Sequence, residues 1–167
     1  MKCVKMQIKY LHLVVFDFMK KICCFAGHSK LSNTGVLYDK LTENIERLII
    51  EENVSEFWVG NYGDFDRLCA KTVRCLKEKY DIQLNLVIPY LTSEINKNKE
   101  FYYMNYDCIL IADIPENAPK NLCILKCNEY MVKNSDFIIC LVKYNWGGAF
   151  KTLEYAKNKK IKIINME

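Results

Sequence analysis

From Lys21 onward the chain alternates short continuous apolar runs with stretches of helical period. That alternation predicts a parallel sheet covered by helices on both faces. Ile22-Cys23-Cys24-Phe25-Ala26, closed by Gly27, reads as a first strand buried on both sides and therefore central. After the turn residues Ser32, Asn33, Thr34 and Gly35, the positions Leu37, Leu41, Ile45 and Leu48 or Ile49 recur at helical spacing to about Glu52. Glu56 to Gly60 predicts a second strand, and Phe65, Cys69, Val73, Leu76 and Tyr80 mark the next helix. A third strand runs from Leu84 to Ile88 and stops at Pro89. The polar run Thr92–Glu100 predicts no definite element, Cys108–Ala112 reads as a fourth strand, and a loop follows to Pro119. Cys123, Cys127 and Met131 then share one helical face, and Phe137–Val142 is a buried strand. Gly147 and Gly148 open a helix through Lys157, and Ile161–Ile164 closes the sheet. The expectation is one α/β domain over residues 19–167, a Rossmann-like three-layer α/β/α fold with a mostly parallel, doubly wound sheet.

Composition narrows the class without naming a function. Half of the 167 residues are apolar, and six glycines and three prolines leave no room for a fibrous or disordered chain. With 24 basic against 20 acidic side chains the net charge is +4 and both signs are interspersed, which argues against a dedicated nucleic-acid binder. Nine cysteines are an odd number and sit mostly inside apolar runs. They read as reduced, buried thiols of a cytoplasmic protein, and their spacings fit no four-ligand metal site. The apolar stretch Tyr10–Phe18 contains His12 and Asp17 and is followed by Lys20 and Lys21. It is too short and too polar to span a bilayer, so no membrane association is expected. The segment reads as an appendage to the domain.

In an open parallel sheet the ligand crevice lies beyond the carboxyl ends of the strands, so the loops that follow them carry the chemistry. Four stand out: Gly27-His28-Ser29-Lys30, the stretch from Gly60 to Asp66, Pro89-Tyr90, and Tyr144-Asn145-Trp146-Gly147-Gly148. Glycines at strand-to-helix turns let backbone amides approach an anion, and a helix N-terminus adds favourable partial charge. Neither the six-residue dinucleotide fingerprint nor a Walker loop is present, so the inference rests on the convergence of the four.

The strings Cys23-Cys24-Phe25-Ala26-Gly27-His28, Val59-Gly60-Asn61-Tyr62-Gly63-Asp64-Phe65-Asp66, Lys126 to Asp136, and Trp146-Gly147-Gly148-Ala149-Phe150-Lys151 resemble the SLOG superfamily, specifically its small stand-alone YpsA-like bacterial branch. The resemblance spans about Ile22 to Asn165, and since members of this branch usually begin at a position like Met19-Lys20-Lys21-Ile22, it implies that residues 1–18 are an upstream extension or a misassigned start. It implies a Rossmann-like domain that binds or senses a small nucleotide or nucleotide-derived phosphorylated ligand, needs no cofactor and can self-associate into a homo-oligomer. Members usually carry Arg after the Gly-His pair and Arg-Asn before the Tyr/Trp-Met, where this chain has Ser29 and Cys127. Two guanidiniums that could clamp a phosphate are therefore missing, with Lys30 and Lys126 next door as point charges.

The candidate ligand-binding residues are Gly27, His28, Lys30, Gly60, Asn61, Gly63, Asp64, Asp66, Tyr90, Asn128, Trp146, Gly147, Gly148 and Thr152. His28 either donates to a phosphate or packs against the sheet edge. Asp66 either starts the second helix, as a cap or dipole charge, or reads a ribose hydroxyl, while Asp64 is freer to face a ligand. Tyr90 and Trp146 either stack on a base or belong to the core. Relatives within the superfamily include phosphoribohydrolases, whose Pro-Gly-Gly-x-Gly-Thr-x-Glu motif corresponds only in part to Trp146–Glu154. A nucleotide N-glycosidase with Glu154 as catalytic acid or base is therefore the first alternative, and a degenerate member acting through protein contacts the second.

Overall fold

The computed structural model describes residues 20–32 and 34–167. The extension expected over residues 1–18 and the turn residue Asn33 lie outside the described residues.

Strand β1 (Lys21–Gly27) is followed by helix α1 (Thr34–Glu52), β2 (Val54–Val59), α2 (Asp64–Leu76) and β3 (Gln83–Ile88). Two short helices, α3 (Ser93–Lys97) and α4 (Lys99–Asn105), lead to β4 (Cys108–Ile111). A single 3-10 turn at Lys120–Leu122 then runs into α5 (Cys123–Lys133), β5 (Phe137–Leu141), α6 (Gly147–Lys159) and β6 (Lys162–Asn165).

The six strands form one sheet in the order β4-β3-β2-β1-β5-β6, and each neighbouring pair is parallel. Central position follows sequence: Cys23 to Ala26 of β1 and all five residues of β5 are buried, as continuous apolar runs require. Side chains alternate between two cores. Cys23, Phe25, Phe57, Leu84 and Leu86 pack with α1, α2 and the α3–α4 pair on one face. Cys24, Ala26, Trp58, Val87, Ile138 and Cys140 pack with α5 and α6 on the other.

The helices obey the same arithmetic. α1 buries Leu41, Ile45 and Leu48, and α5 buries Cys123, Cys127 and Met131, each at spacings of three or four. α2 carries Asp64 and Asp66 in its first turn and Arg74 in its last, the charge order that complements a helix dipole. Two expectations are corrected. The polar stretch from Thr92 is helical: the Thr92 hydroxyl accepts from the Ile95 N–H at 3.2 Å and starts α3, and each short helix buries a single anchor, Ile95 and Tyr102. The second helix ends at Leu76 rather than Tyr80, and the residues to Tyr80 form turns.

Among the described residues no helix is long and apolar enough to cross a membrane, eight cysteines are free thiols, and no group of three or more His, Cys, Asp or Glu side chains could hold a metal ion.

Candidate functional site

Connections from β1, β2 and β3 cover one face of the sheet and those from β4 and β5 the other, so the winding reverses between β1 and β5. Adjacent parallel strands whose following chains leave in opposite directions open a crevice at their carboxyl ends. A cavity of about 850 Å³ lies there.

One wall is the loop after β1, residues 27–32, with Val36, Leu37 and Lys40 of α1. The loop after β2 holds that wall from behind. The Asp64 N–H donates to the Ser29 carbonyl at 2.9 Å and the Phe65 N–H to the His28 carbonyl at 3.4 Å. The Asp64 carboxylate accepts the Leu31 N–H at 3.1 Å and Arg67 Nη2 at 2.6 Å. The Arg67 guanidinium, then the Leu31 amide, hold its carboxyl below the usual aspartate range. Gly63 is dictated by contact, since a Cβ there would lie 2.7 Å from Ser29 Cα, and a Cβ on Gly27 would lie 2.4 Å from the Phe65 ring.

The opposite wall comes from the chain after β5 and the start of α6. Gly147 has φ of +89°, a conformation that excludes most side chains, and a Cβ on Gly148 would point into open space. No side chain caps α6 and its first turn holds no acid, so its leading amides and dipole are available to an anion. Behind that turn, buried Thr152 donates to the Gly148 carbonyl at 2.9 Å and accepts from Asn128 Nδ2 at 3.4 Å. The Lys143 N–H donates to His28 Nε2 at 3.0 Å, joining the walls and leaving Nδ1 as the donor of the neutral ring. The His28 ring lies 5.2 Å from that of Tyr144, which stacks on Trp146 at 5.5 Å and 22°. Lys30, Lys40 and Lys143 line the cavity, with Glu167 as the one acidic residue among its lining. The Lys40 ammonium donates to the Met166 carbonyl at 2.8 Å.

Of the residues singled out by sequence, Gly27, His28, Lys30, Asn128, Trp146, Gly147 and Gly148 meet at this cavity. Gly63, Asp64 and Thr152 stand one layer behind it; Asp64 braces the neighbouring loop rather than facing the crevice. Asp66 is neither the cap of α2, which is Gly63, nor a lining residue. Its carboxylate takes the Tyr62 N–H at 2.9 Å, and burial pushes its pKa up to about 6. A Cβ on Gly60 would sit 3.1 Å from that carboxylate, and Asn61 donates to the Tyr102 hydroxyl at 3.2 Å. Tyr90, half exposed after β3, lies outside the lining. Glu154 also lies outside it and pairs with Lys157 at 2.7 Å on the solvent side of α6.

Sequence reading passed over the lining residues Lys40 and Lys143, and selected the loops of Tyr62 and Tyr144 without singling out those two side chains. Lys143 and Tyr144 follow β5 directly and were open to the rule that selected Trp146, whereas Lys40 is placed by the direction in which α1 leaves β1.

No family model matches the chain, and no curated protein matches it in sequence. Among solved structures it is similar to DNA processing protein A (DprA) from Streptococcus pneumoniae, with a TM-score of 0.62 at 14% identity over 88% of this chain. The chain spans half the length of that protein. The likeness establishes a Rossmann-like α/β fold.

Proposed function

We propose that the domain is a binding or sensing module for a small nucleotide or nucleotide-derived phosphorylated ligand, held in the cavity between β1 and β5, as the resemblance to YpsA-like SLOG proteins implies. The observation that carries the proposal is the cavity itself: it lies at the reversal point of the sheet, faces the uncapped start of α6 at Gly147 and Gly148, and is lined by three lysines. In this reading the Gly147–Gly148 amides take a phosphate, Lys30 and Lys143 supply the charge that the usual arginines supply elsewhere, and His28 Nδ1–H is a further donor, whereas Lys126, expected beside Lys30 in that role, lies outside the lining and pairs with Glu129 at 2.7 Å. Asn128 and Thr152 hold the first turn of α6 in place.

A phosphoribohydrolase reading finds less support. Glu154 pairs with a lysine outside the cavity, and general acid–base work requires a carboxylate within hydrogen-bond reach of the scissile bond.

A thermal-shift screen against nucleoside mono- and diphosphates, cyclic nucleotides, ADP-ribose and NAD tests the proposal. A binder at a hundredfold excess over its dissociation constant adds about 2.7 kcal/mol of stability. A reproducible shift with one ligand class is expected. No shift with any of them at millimolar concentration overturns the reading and favours a member that acts through protein contacts.

A further inference from the structure

The loop after β5 places two large aromatic side chains at the mouth of the cavity and leaves them in water. Trp146 is 69% exposed and Tyr144 54% exposed, whereas the second tryptophan, Trp58, is buried and hydrogen-bonded to Glu56 at 2.7 Å. Exposed rings of this size that line a concave, cationic site are the side chains on which ligand rings stack.

Tyr144 stacks on Trp146 at 22°, while the His28 ring is tilted by 57° against Tyr144. Tyr144 is the one ring partner of Trp146 among the described residues, and with 69% of Trp146 exposed the indole keeps a face on which a further ring can rest. Trp146 is also the residue immediately before the first amides of α6. A ring resting on that face and a phosphate at those amides would belong to one molecule of modest size.

We infer that Trp146 is the specificity-determining platform of the site: it extends the Tyr144–Trp146 stack by one planar ring of the ligand and so selects phosphorylated compounds that carry an aromatic base, purines over pyrimidines, from sugar phosphates that carry none. This rests on the proposed binding of a phosphorylated ligand in the same cavity. Purines are favoured because the fused bicycle covers more of an indole than a single ring does.

The protein carries its own reporter, since Trp58 and Trp146 are its two tryptophans and only the second is exposed. AMP, CMP and ribose 5-phosphate are titrated into the full chain, following tryptophan emission and heat, and compared with Trp146→Leu and Trp146→Phe. Expected are quenching of the exposed tryptophan by AMP, tighter binding of AMP than CMP than ribose 5-phosphate, and about a tenfold or greater loss of AMP affinity in Trp146→Leu. Ribose 5-phosphate binding should be unchanged in that variant, and Trp146→Phe should recover part of the loss. Nucleotide binding that leaves emission and Trp146→Leu affinity unaltered overturns the platform while the phosphate-binding reading stands. Failure of all three compounds to bind overturns the platform, and the phosphate-binding reading falls with it only when the wider nucleotide screen also finds no binder.

Discussion

At the scale of single residues, Asp66 shows how a local choice acquires a measurable consequence. Its carboxylate is mostly withdrawn from water and takes one backbone N–H, that of Tyr62, so burial raises its pKa from 3.8 to about 6. The folded state therefore binds this proton more tightly than the unfolded state does. Its contribution to stability is full below the unfolded value near 4 and is lost as pH rises through about 6. A shift of roughly two units corresponds to at most about 3 kcal/mol, and residual water contact reduces it to about 1–2 kcal/mol. Asp66→Asn keeps an acceptor for the Tyr62 amide and removes the charge. Denaturant titrations should find it more stable than the native chain at pH 7.5 and nearly equal at pH 4. A variant less stable at pH 7.5 would show that ionised Asp66 is held by something other than that amide. Sequence alone placed Asp66 at the start of a helix; it did not reveal that the carboxylate folds back against the Tyr62 amide and Gly60, because that contact is made by the preceding loop and not by the period of the helix.

Between elements, the loop after β2 illustrates the difference between a ligand loop and a supporting one. Its glycines and acids resemble a phosphate loop in sequence, yet Gly63 is required by the approach of Ser29, and Asp64 is spent on Leu31 and Arg67. The wall formed by residues 28–31 is thus positioned from behind. Asp64→Ala should raise amide exchange at Ser29 to Leu31 and weaken ligand binding several-fold, while Asp64→Asn, which retains an oxygen for the Leu31 N–H, should recover part of the affinity. Unchanged exchange in Asp64→Ala would contradict the brace. The six strands and the helices α1, α2, α5 and α6 were legible from their apolar runs, helical period or opening glycines. The α3–α4 pair was not, since each helix holds one buried anchor in at most seven residues, too short for periodicity to register.

For the whole molecule, the order of the strands decides where chemistry can occur. A central β1 flanked by β2 and β5 puts the crevice between the loops that contain His28 and Trp146, residues 118 positions apart in the chain and joined through Tyr144 and the Lys143 amide. Half of the candidate ligand residues gather at this crevice and the others support it or lie apart, because a sequence shows which loops follow strands but not which strands are neighbours. The central claim is that a phosphorylated ligand binds against the first amides of α6. Calorimetric titration of one nucleotide that shifts the melting temperature, into the native chain and into Gly148→Val, tests it most directly. A Cβ at this position projects into open space and has no neighbour within 4 Å, so the fold and melting temperature of the free variant should be preserved. The account predicts at least about a tenfold loss of affinity in that variant, consistent with one or more charge-assisted contacts removed. Equal affinity in the two proteins would place the ligand elsewhere and contradict it.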